Sequence, residues 1–144
     1  MRIDVSAPLV ARREIFIEAP IETVWRLQCD IGSWPVWQPG VTILKFNGDL
    51  SPGGRFQWRV DGVTIKSTLG AVDPPRHIGW ISETPGMRSV HVYHLEAHGK
   101  RTRVVTEESR AGWSARLLRL QSPSLLEPLL DASLLALKEA AEAG

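Results

Sequence analysis

The spacing of hydrophobic residues along the chain changes twice, and each change marks a different kind of element. Residues 12–18 alternate between apolar and polar side chains, which predicts a strand, whereas residues 1–11 carry little pattern and predict a loose N-terminal arm. Pro20 suits the first turn of a helix, and Ile21, Val24 and Leu27 then recur at helical spacing until Gly32. Residues 34–37 predict a turn or a short second helix.

From residue 41 to residue 109 the chain consists of short alternating runs separated by turn signals. This pattern predicts six strands, at about 41–47, 54–61, 63–72, 76–84, 87–97 and 101–109. A stripe of apolar residues then predicts a long amphipathic C-terminal helix: Leu126, Leu130, Leu134, Leu137 and Ala141. Ser122-Pro123 fits its N-cap and first position, and Pro128 predicts either a kink or the real start of the helix.

These elements predict one α+β domain over residues 12–144. Seven strands and a single long helix can bury their apolar faces against each other in a curved antiparallel sheet wrapped around that helix. Two short helices follow strand 1.

Three turns predict the register of the sheet. Asp61-Gly62 is a strong two-residue hairpin signal and sets Trp58 opposite Ile65. Pro85-Gly86 sets Trp80 opposite His91 and Ile78 opposite Tyr93. Gly99-Lys100 sets His91 opposite Glu108, while a turn at His98-Gly99 would slide the pairing by two and keep the same faces.

All three turns agree on the composition of the inner face. Its residues are Phe56, Trp58, Ile65, Ile78, Trp80, His91, Tyr93, Leu95, Val104, Thr106 and Glu108. Apolar walls with a few polar groups are what a small-molecule cavity needs, although the same aromatic side chains could also fill a solid core.

The candidate chemistry on this face is a histidine beside a carboxylate. His91 and Glu108 could form an acid–base couple, or a purely structural hydrogen-bonded pair. The Tyr93 hydroxyl could meet a ligand, or a water or backbone group. Trp34 and Trp37 could line the mouth of a cavity, or fill the core beside the first helix.

Composition excludes several classes of function. The chain has 144 residues and a net charge of +1, so charge does not argue for nucleic acid or a membrane surface. Cys29 is the only cysteine, and we expect it to be buried and to act as a small hydrophobic side chain. His91, His94 and His98 do not share a face, so we predict no metal and no cofactor. Without a bilayer-spanning run or a signal peptide, the expected location is cytoplasmic.

Several segments resemble one superfamily. The opening Ile17-Glu-Ala-Pro20, the pairs Val24-Trp25 and Ser33-Trp34, and the later residues 102–109 with Gly112-Trp113 are similar to the START-like, helix-grip (SRPBCC) superfamily. The likeness is greatest to its polyketide cyclase/dehydrase-like branch and covers about residues 12–142.

The resemblance implies a deep hydrophobic cavity between the sheet and the C-terminal helix. Its walls would carry the inner-face aromatics with His91, Tyr93 and Glu108, and Leu126, Leu130 and Leu134 would lie on the helical lid. The expected function is binding or carriage of a small hydrophobic, aromatic or lipid-like molecule, by a monomer or homodimer without membrane insertion or nucleic acid. One alternative is a cyclase or dehydratase using His91 as acid or base; another is a chaperone-activator-like interaction module, which requires an exposed apolar patch.

Overall fold

The computed structural model describes residues 1–47 and 49–144 and shows a seven-stranded antiparallel sheet with helices on one side. The strands lie in the order β1-β7-β6-β5-β4-β3-β2. Along the chain the elements are β1 Leu9–Ile17, α1 Ile21–Cys29, a 3-10 turn Ile31–Ser33, α2 Trp34–Trp37, β2 Val41–Asn47, β3 Arg55–Val60, β4 Val63–Asp73, β5 His77–Thr84, β6 Met87–His98, β7 Arg101–Ala111, α3 Trp113–Gln121 and α4 Leu126–Ala143. The predicted α+β class, the strand number and the long C-terminal helix are confirmed.

Strand β1 begins at Leu9, three residues before the predicted start. Leu9 and Ala11 are buried, and they pack with Leu126 and Leu130 of α4. Residues 9–11 are therefore part of the sheet and not of a loose arm. The segment before them also contacts the domain, because the Asp4 backbone N–H donates a hydrogen bond to Ser109 Oγ at 3.0 Å.

The C-terminal region forms two helices where the sequence predicted one. Helix α3 was not predicted, and Ser122 ends it, with its N–H bonded to the Leu118 carbonyl at 2.6 Å. The predicted N-cap at Ser122-Pro123 is therefore wrong. Pro128 lies in the first turn of α4, where its missing N–H breaks no helical hydrogen bond. Pro128 therefore lies close to the start of the helix, which begins two residues earlier at Leu126, and the alternative of a start near Pro128 describes the structure better than an N-cap at Ser122.

The predicted register is confirmed at all three hairpins. Trp58 pairs with Ile65, Trp80 with His91, and His91 with Glu108. At the first hairpin both turn residues have positive φ, 48° at Asp61 and 84° at Gly62, as a tight turn between twisted strands requires.

Buried apolar residues form two clusters. The larger lies between the aromatic face of the sheet, α1 and the C-terminal half of α4, and it includes Leu134, Leu137 and Ala141. The smaller holds Leu9, Ala11, Leu126 and Leu130 near α3. No helix among the described residues is long and apolar enough to cross a membrane.

The Gly62 turn provides a test of the register. We expect Gly62→Ala to lower the free energy of unfolding by about 1–2 kcal/mol, because an L side chain disfavours positive φ. Gly32→Ala is the matched control, since a Cβ at either glycine meets no atom within 4 Å and only Gly62 has a positive φ. Urea denaturation measures both variants, and an equal loss in the two would contradict the role of the turn.

Candidate functional site

Trp34 lies at the centre of the inner face. Its ring centroid is 5.6 Å from that of Phe56, 5.2 Å from that of Trp58 and 5.3 Å from that of Trp80. The indole N–H donates to the Gln28 carbonyl at 3.0 Å, and the side chain is 1% exposed. Trp34 is therefore a core residue and not the mouth residue that was one of its two predicted roles, because the 3-10 turn and α2 fold it over the sheet.

Aromatic side chains pack against one another in the space that the resemblance assigned to a cavity. Phe56, Trp80 and Tyr93 are at most 3% exposed and belong to the same cluster as Trp34. Two hollows among residues 1–47 and 49–144 lie elsewhere. One of about 350 Å³ lies beside Trp113, and one of about 560 Å³ lies beside Leu120.

The other predicted wall and lid residues separate into two groups. Leu134 joins the aromatic cluster with Ile78, Leu95 and Val104, whereas Leu126 and Leu130 pack against Leu9 and Ala11 in the smaller cluster. Ile65 and Trp58 are half-buried near the β3–β4 hairpin. Trp58 Nε1 donates to Ser67 Oγ at 3.0 Å. Within the larger cluster, α4 contributes Leu137 as well as Leu134.

Trp37 is half-buried beside the aromatic cluster. Its indole Nε1 is buried and has no hydrogen-bond partner among the described residues. A buried N–H without a partner is uncommon in folded proteins, so it requires an explanation.

A polar line of side chains crosses the inner face of the sheet next to the aromatic rings, and it consists of His91, Thr106, Glu108 and Arg110. His91 Nε2 lies 2.9 Å from Thr106 Oγ1, and His91 Nδ1 lies 3.4 Å from Glu108 Oε1. The Arg110 Nε–H donates to Glu108 Oε2 at 2.5 Å. Thr106 and Glu108 are buried, and the His91 ring lies 5.0 Å from the Trp80 ring. The predicted His91–Glu108 contact therefore exists, with Arg110 as a further partner.

The hydrogen bonds of Thr106 determine which ring nitrogen of neutral His91 carries the proton. The Thr106 hydroxyl donates its one proton to the Val92 carbonyl at 3.0 Å, so it accepts from His91 Nε2–H. Neutral His91 therefore has a bare Nδ1, which faces the Glu108 carboxylate. A further proton taken up by this pair would lie on Nδ1, where Glu108 stabilises it.

Tyr93 extends the polar line to α4. Its hydroxyl forms a short hydrogen bond with the Ser133 hydroxyl. Burial raises the pKa of Tyr93 to about 12, although the hydrogen bond with Ser133 acts in the opposite direction. The phenol therefore stays protonated near neutral pH and can donate a hydrogen bond.

Ser133 and Arg110 were missed from the sequence, yet both carried a periodic signal. Ser133 is three residues after Leu130 and four before Leu137, which places it on the inner side of the helix. Arg110 follows Glu108 by two residues in a strand and so shares its face. Neither residue stands out in the sequence, because the inner face is defined mainly by its apolar side chains.

The remaining histidines and Cys29 lie away from this line. His94 is on the opposite face, where it stacks on His77 at 4.3 Å and lies 3.7 Å from Glu107. Among residues 1–47 and 49–144, no three His, Cys, Asp or Glu side chains group in a way that could hold a metal ion. Cys29 is buried, and burial raises the pKa of its thiol to about 12.

Sequence comparison identifies the family. The model of the family described as "Polyketide cyclase / dehydrase and lipid transport" matches residues 8–142. The chain therefore belongs to this family. The comparison with curated proteins gave no match.

Solved structures with the same fold come from bacteria and plants. A hypothetical protein, jhp0584, from Helicobacter pylori is 17% identical with a TM-score of 0.79, covering 95% of this chain and 90% of that one. The Zhui aromatase/cyclase from Streptomyces sp. R1128 is 21% identical with a TM-score of 0.71, covering 92% and 93%. Norcoclaurine synthase from Thalictrum flavum, in complex with dopamine and hydroxybenzaldehyde, is 17% identical with a TM-score of 0.65, covering 90% and 84%. At these identities the likeness is one of fold.

The environment of His91 predicts an acid-sensitive fold. Burial lowers the pKa of His91 from its ordinary value of 6.5; Glu108 opposes this shift, and Arg110 adds to it. Between pH 6.5 and the lowered pKa, the unfolded chain binds a proton that the folded chain does not. The stability that neutral His91 contributes is therefore complete above about pH 6.5 and is lost as the pH falls toward the folded value.

Urea denaturation between about pH 7.5 and pH 5.5 tests this expectation. His91→Gln keeps a donor for Thr106, and we expect it to remove part of the acid-dependent loss of unfolding free energy. His94→Gln, whose parent side chain is more exposed, should change the profile less. A His91→Gln profile with the wild-type acid slope would contradict the assignment.

Proposed function

We propose that this protein binds or carries a small hydrophobic molecule, aromatic or lipid-like, between the sheet and α4. The observation that carries the proposal is a line of polar side chains along an otherwise aromatic face, in which Thr106, Glu108 and Tyr93 are buried and His91 is largely buried. The family description, which includes lipid transport, supports the same class of function.

The energetic cost of these polar groups supports a ligand-related role. Burying a histidine and a carboxylate costs free energy, and a well-packed apolar pair of similar volume is often as stable or more stable. Glu108 also needs Arg110 as a hydrogen-bond donor within the fold. Polar groups on an apolar wall would orient a ligand whose affinity comes from the aromatic rings.

Because the inner face is packed, the ligand would have to displace a side chain, and we propose Trp34. Its segment is a three-residue 3-10 turn followed by a four-residue helix, and its indole N–H bonds to one backbone carbonyl. Movement of this segment would open the aromatic wall formed by Phe56, Trp58 and Trp80. The indole N–H of Trp37, which lacks a partner, would then be available to a ligand acceptor.

Two leucines of α4 allow a matched test of the location. The probe is 1-anilinonaphthalene-8-sulfonate, whose fluorescence rises in an apolar site. We expect saturable binding with one probe per chain, weakened about fourfold by Leu134→Val, since one methylene contributes about 0.8 kcal/mol. Leu130→Val is the control, because Leu130 is equally buried but lies in the smaller cluster.

Each substitution should lower the unfolding free energy by about 1 kcal/mol, so stability alone would not separate them. Equal probe affinities for the two variants would contradict a site under Leu134. Native mass spectrometry of the freshly purified wild-type chain is the second measurement. No co-purified apolar molecule together with no saturable probe binding would overturn the proposal.

The second candidate function is a cyclase or dehydratase. It is favoured by one observation, the bare Nδ1 of His91 facing Glu108. This pair could accept a substrate proton, and the protonated Tyr93 hydroxyl could polarise a carbonyl oxygen. Loss of water from a β-hydroxy ketone would use these roles: His91 removes the α-proton while the Tyr93 hydroxyl hydrogen-bonds the developing enolate oxygen. Protonated His91 then gives that proton to the departing hydroxyl, so that water leaves and the base is restored.

An aromatic β-hydroxy ketone provides the test, because its dehydrated product is conjugated and can be followed by absorbance. We expect His91→Gln to lower turnover by about a hundredfold or more while probe affinity stays within about twofold of wild type. His94→Gln, on the opposite face, should leave turnover unchanged. Wild-type turnover by His91→Gln would exclude the acid–base role and leave the binding function standing.

A further inference from the structure

Helix α3 exposes an apolar stripe to solvent. Trp113 is 65% exposed, Leu117 53% and Leu120 83%. Because an α-helix advances about 100° per residue, these three side chains lie on one side of α3. The opposite side carries Ala115 and Leu118, which are turned to the protein. Helix α3 is therefore anchored by one apolar side and presents a second, largely exposed one, of which the Trp113 indole alone also lies against Gly86 of the β5–β6 turn among the described residues.

The charge beside the stripe is positive. Arg116 and Arg119 are exposed on α3, which contains no Asp or Glu, and neither arginine forms an ion pair with a described residue. Both line the hollow of about 560 Å³, together with Ser6, Pro8 and Leu120. At the other end of the helix, Arg88 and Glu83 line the hollow beside Trp113.

We infer that α3 is a docking surface for an anionic lipid membrane. Tryptophan favours the headgroup level of a bilayer, and the two leucines would reach the boundary of the acyl chains. Arg116 and Arg119 would pair with lipid phosphates, which their guanidinium groups bind by charge-assisted hydrogen bonds. With three apolar side chains and two arginines, the attachment is peripheral, reversible and sensitive to salt.

A second copy of the chain fits this surface less well. A stable interface buries about 800 Å² on each partner, which is more than three side chains supply. Two α3 helices facing each other would also bring arginines together without a carboxylate on either helix. Charge complementarity therefore favours the membrane surface over self-association.

The membrane surface goes beyond the proposed function and does not depend on it. The aromatic face and the polar line lie on the inner side of the sheet, whereas the stripe of α3 faces solvent. Vesicle binding and probe binding can therefore succeed or fail separately, and one outcome does not decide the other.

Co-sedimentation of the full chain with lipid vesicles tests the inference. We expect binding to vesicles of phosphatidylglycerol and phosphatidylcholine in equal amounts, and little binding to phosphatidylcholine alone. Arg116→Gln with Arg119→Gln should weaken binding about 25-fold, about fivefold for each arginine. Leu117→Gln with Leu120→Gln should abolish it, and added salt should weaken the wild type.

The matched control is Leu129→Gln with Leu135→Gln on α4, whose leucines are 46% and 49% exposed. This variant should bind vesicles as the wild type does. No vesicle binding by the wild type, or equal binding by the α3 variants, would overturn the inference. Sedimentation velocity without lipid tests self-association. If the wild type is a dimer that the α3 substitutions dissociate, the membrane inference is overturned and α3 is an interface between two copies of the chain.

Discussion

The register of the antiparallel sheet is the constraint on which the rest of this structure depends. Two-residue turns at Asp61-Gly62, Pro85-Gly86 and Gly99-Lys100 join β3 to β4, β5 to β6 and β6 to β7. Because side chains alternate along a strand, a slip of one residue would turn Trp58, Trp80 and Tyr93 to the other face. The aromatic cluster, the cover formed by Trp34 and the contact of α4 with the sheet all require this register.

The same register places polar groups among the aromatic rings. His91 and Glu108 are directly opposite on neighbouring strands, and Thr106 meets the other nitrogen of the imidazole. Each of these groups has a partner within the fold, so the line is compatible with a stable core. Its cost relative to an apolar core is the physical basis of both proposed functions, and the family description names polyketide cyclase / dehydrase as well as lipid transport.

The net charge of the whole chain differs from the local charge of helix α3. The chain has a net charge of +1, from which no membrane surface was predicted. Within α3, however, two arginines stand beside three exposed apolar side chains without any carboxylate. For the proposed membrane contact, the charge and the exposed apolar side chains of α3 matter more than the net charge of the chain. The reason is that attraction between exposed charges falls off within about 8–10 Å in physiological salt.

The sequence by itself determined the number of strands, the pairing at three hairpins and the composition of the inner face, because turn chemistry and alternation act locally. It also determined that His91 and Glu108 would be neighbours and that the stripe from Leu126 to Ala141 would be buried. Only the tertiary structure decided that Trp34 fills the face, that Leu126 and Leu130 belong to a separate cluster, and that Ser133 reaches Tyr93. These contacts join residues far apart in the chain, and helical spacing specifies which side of a helix is apolar but not which surface it meets.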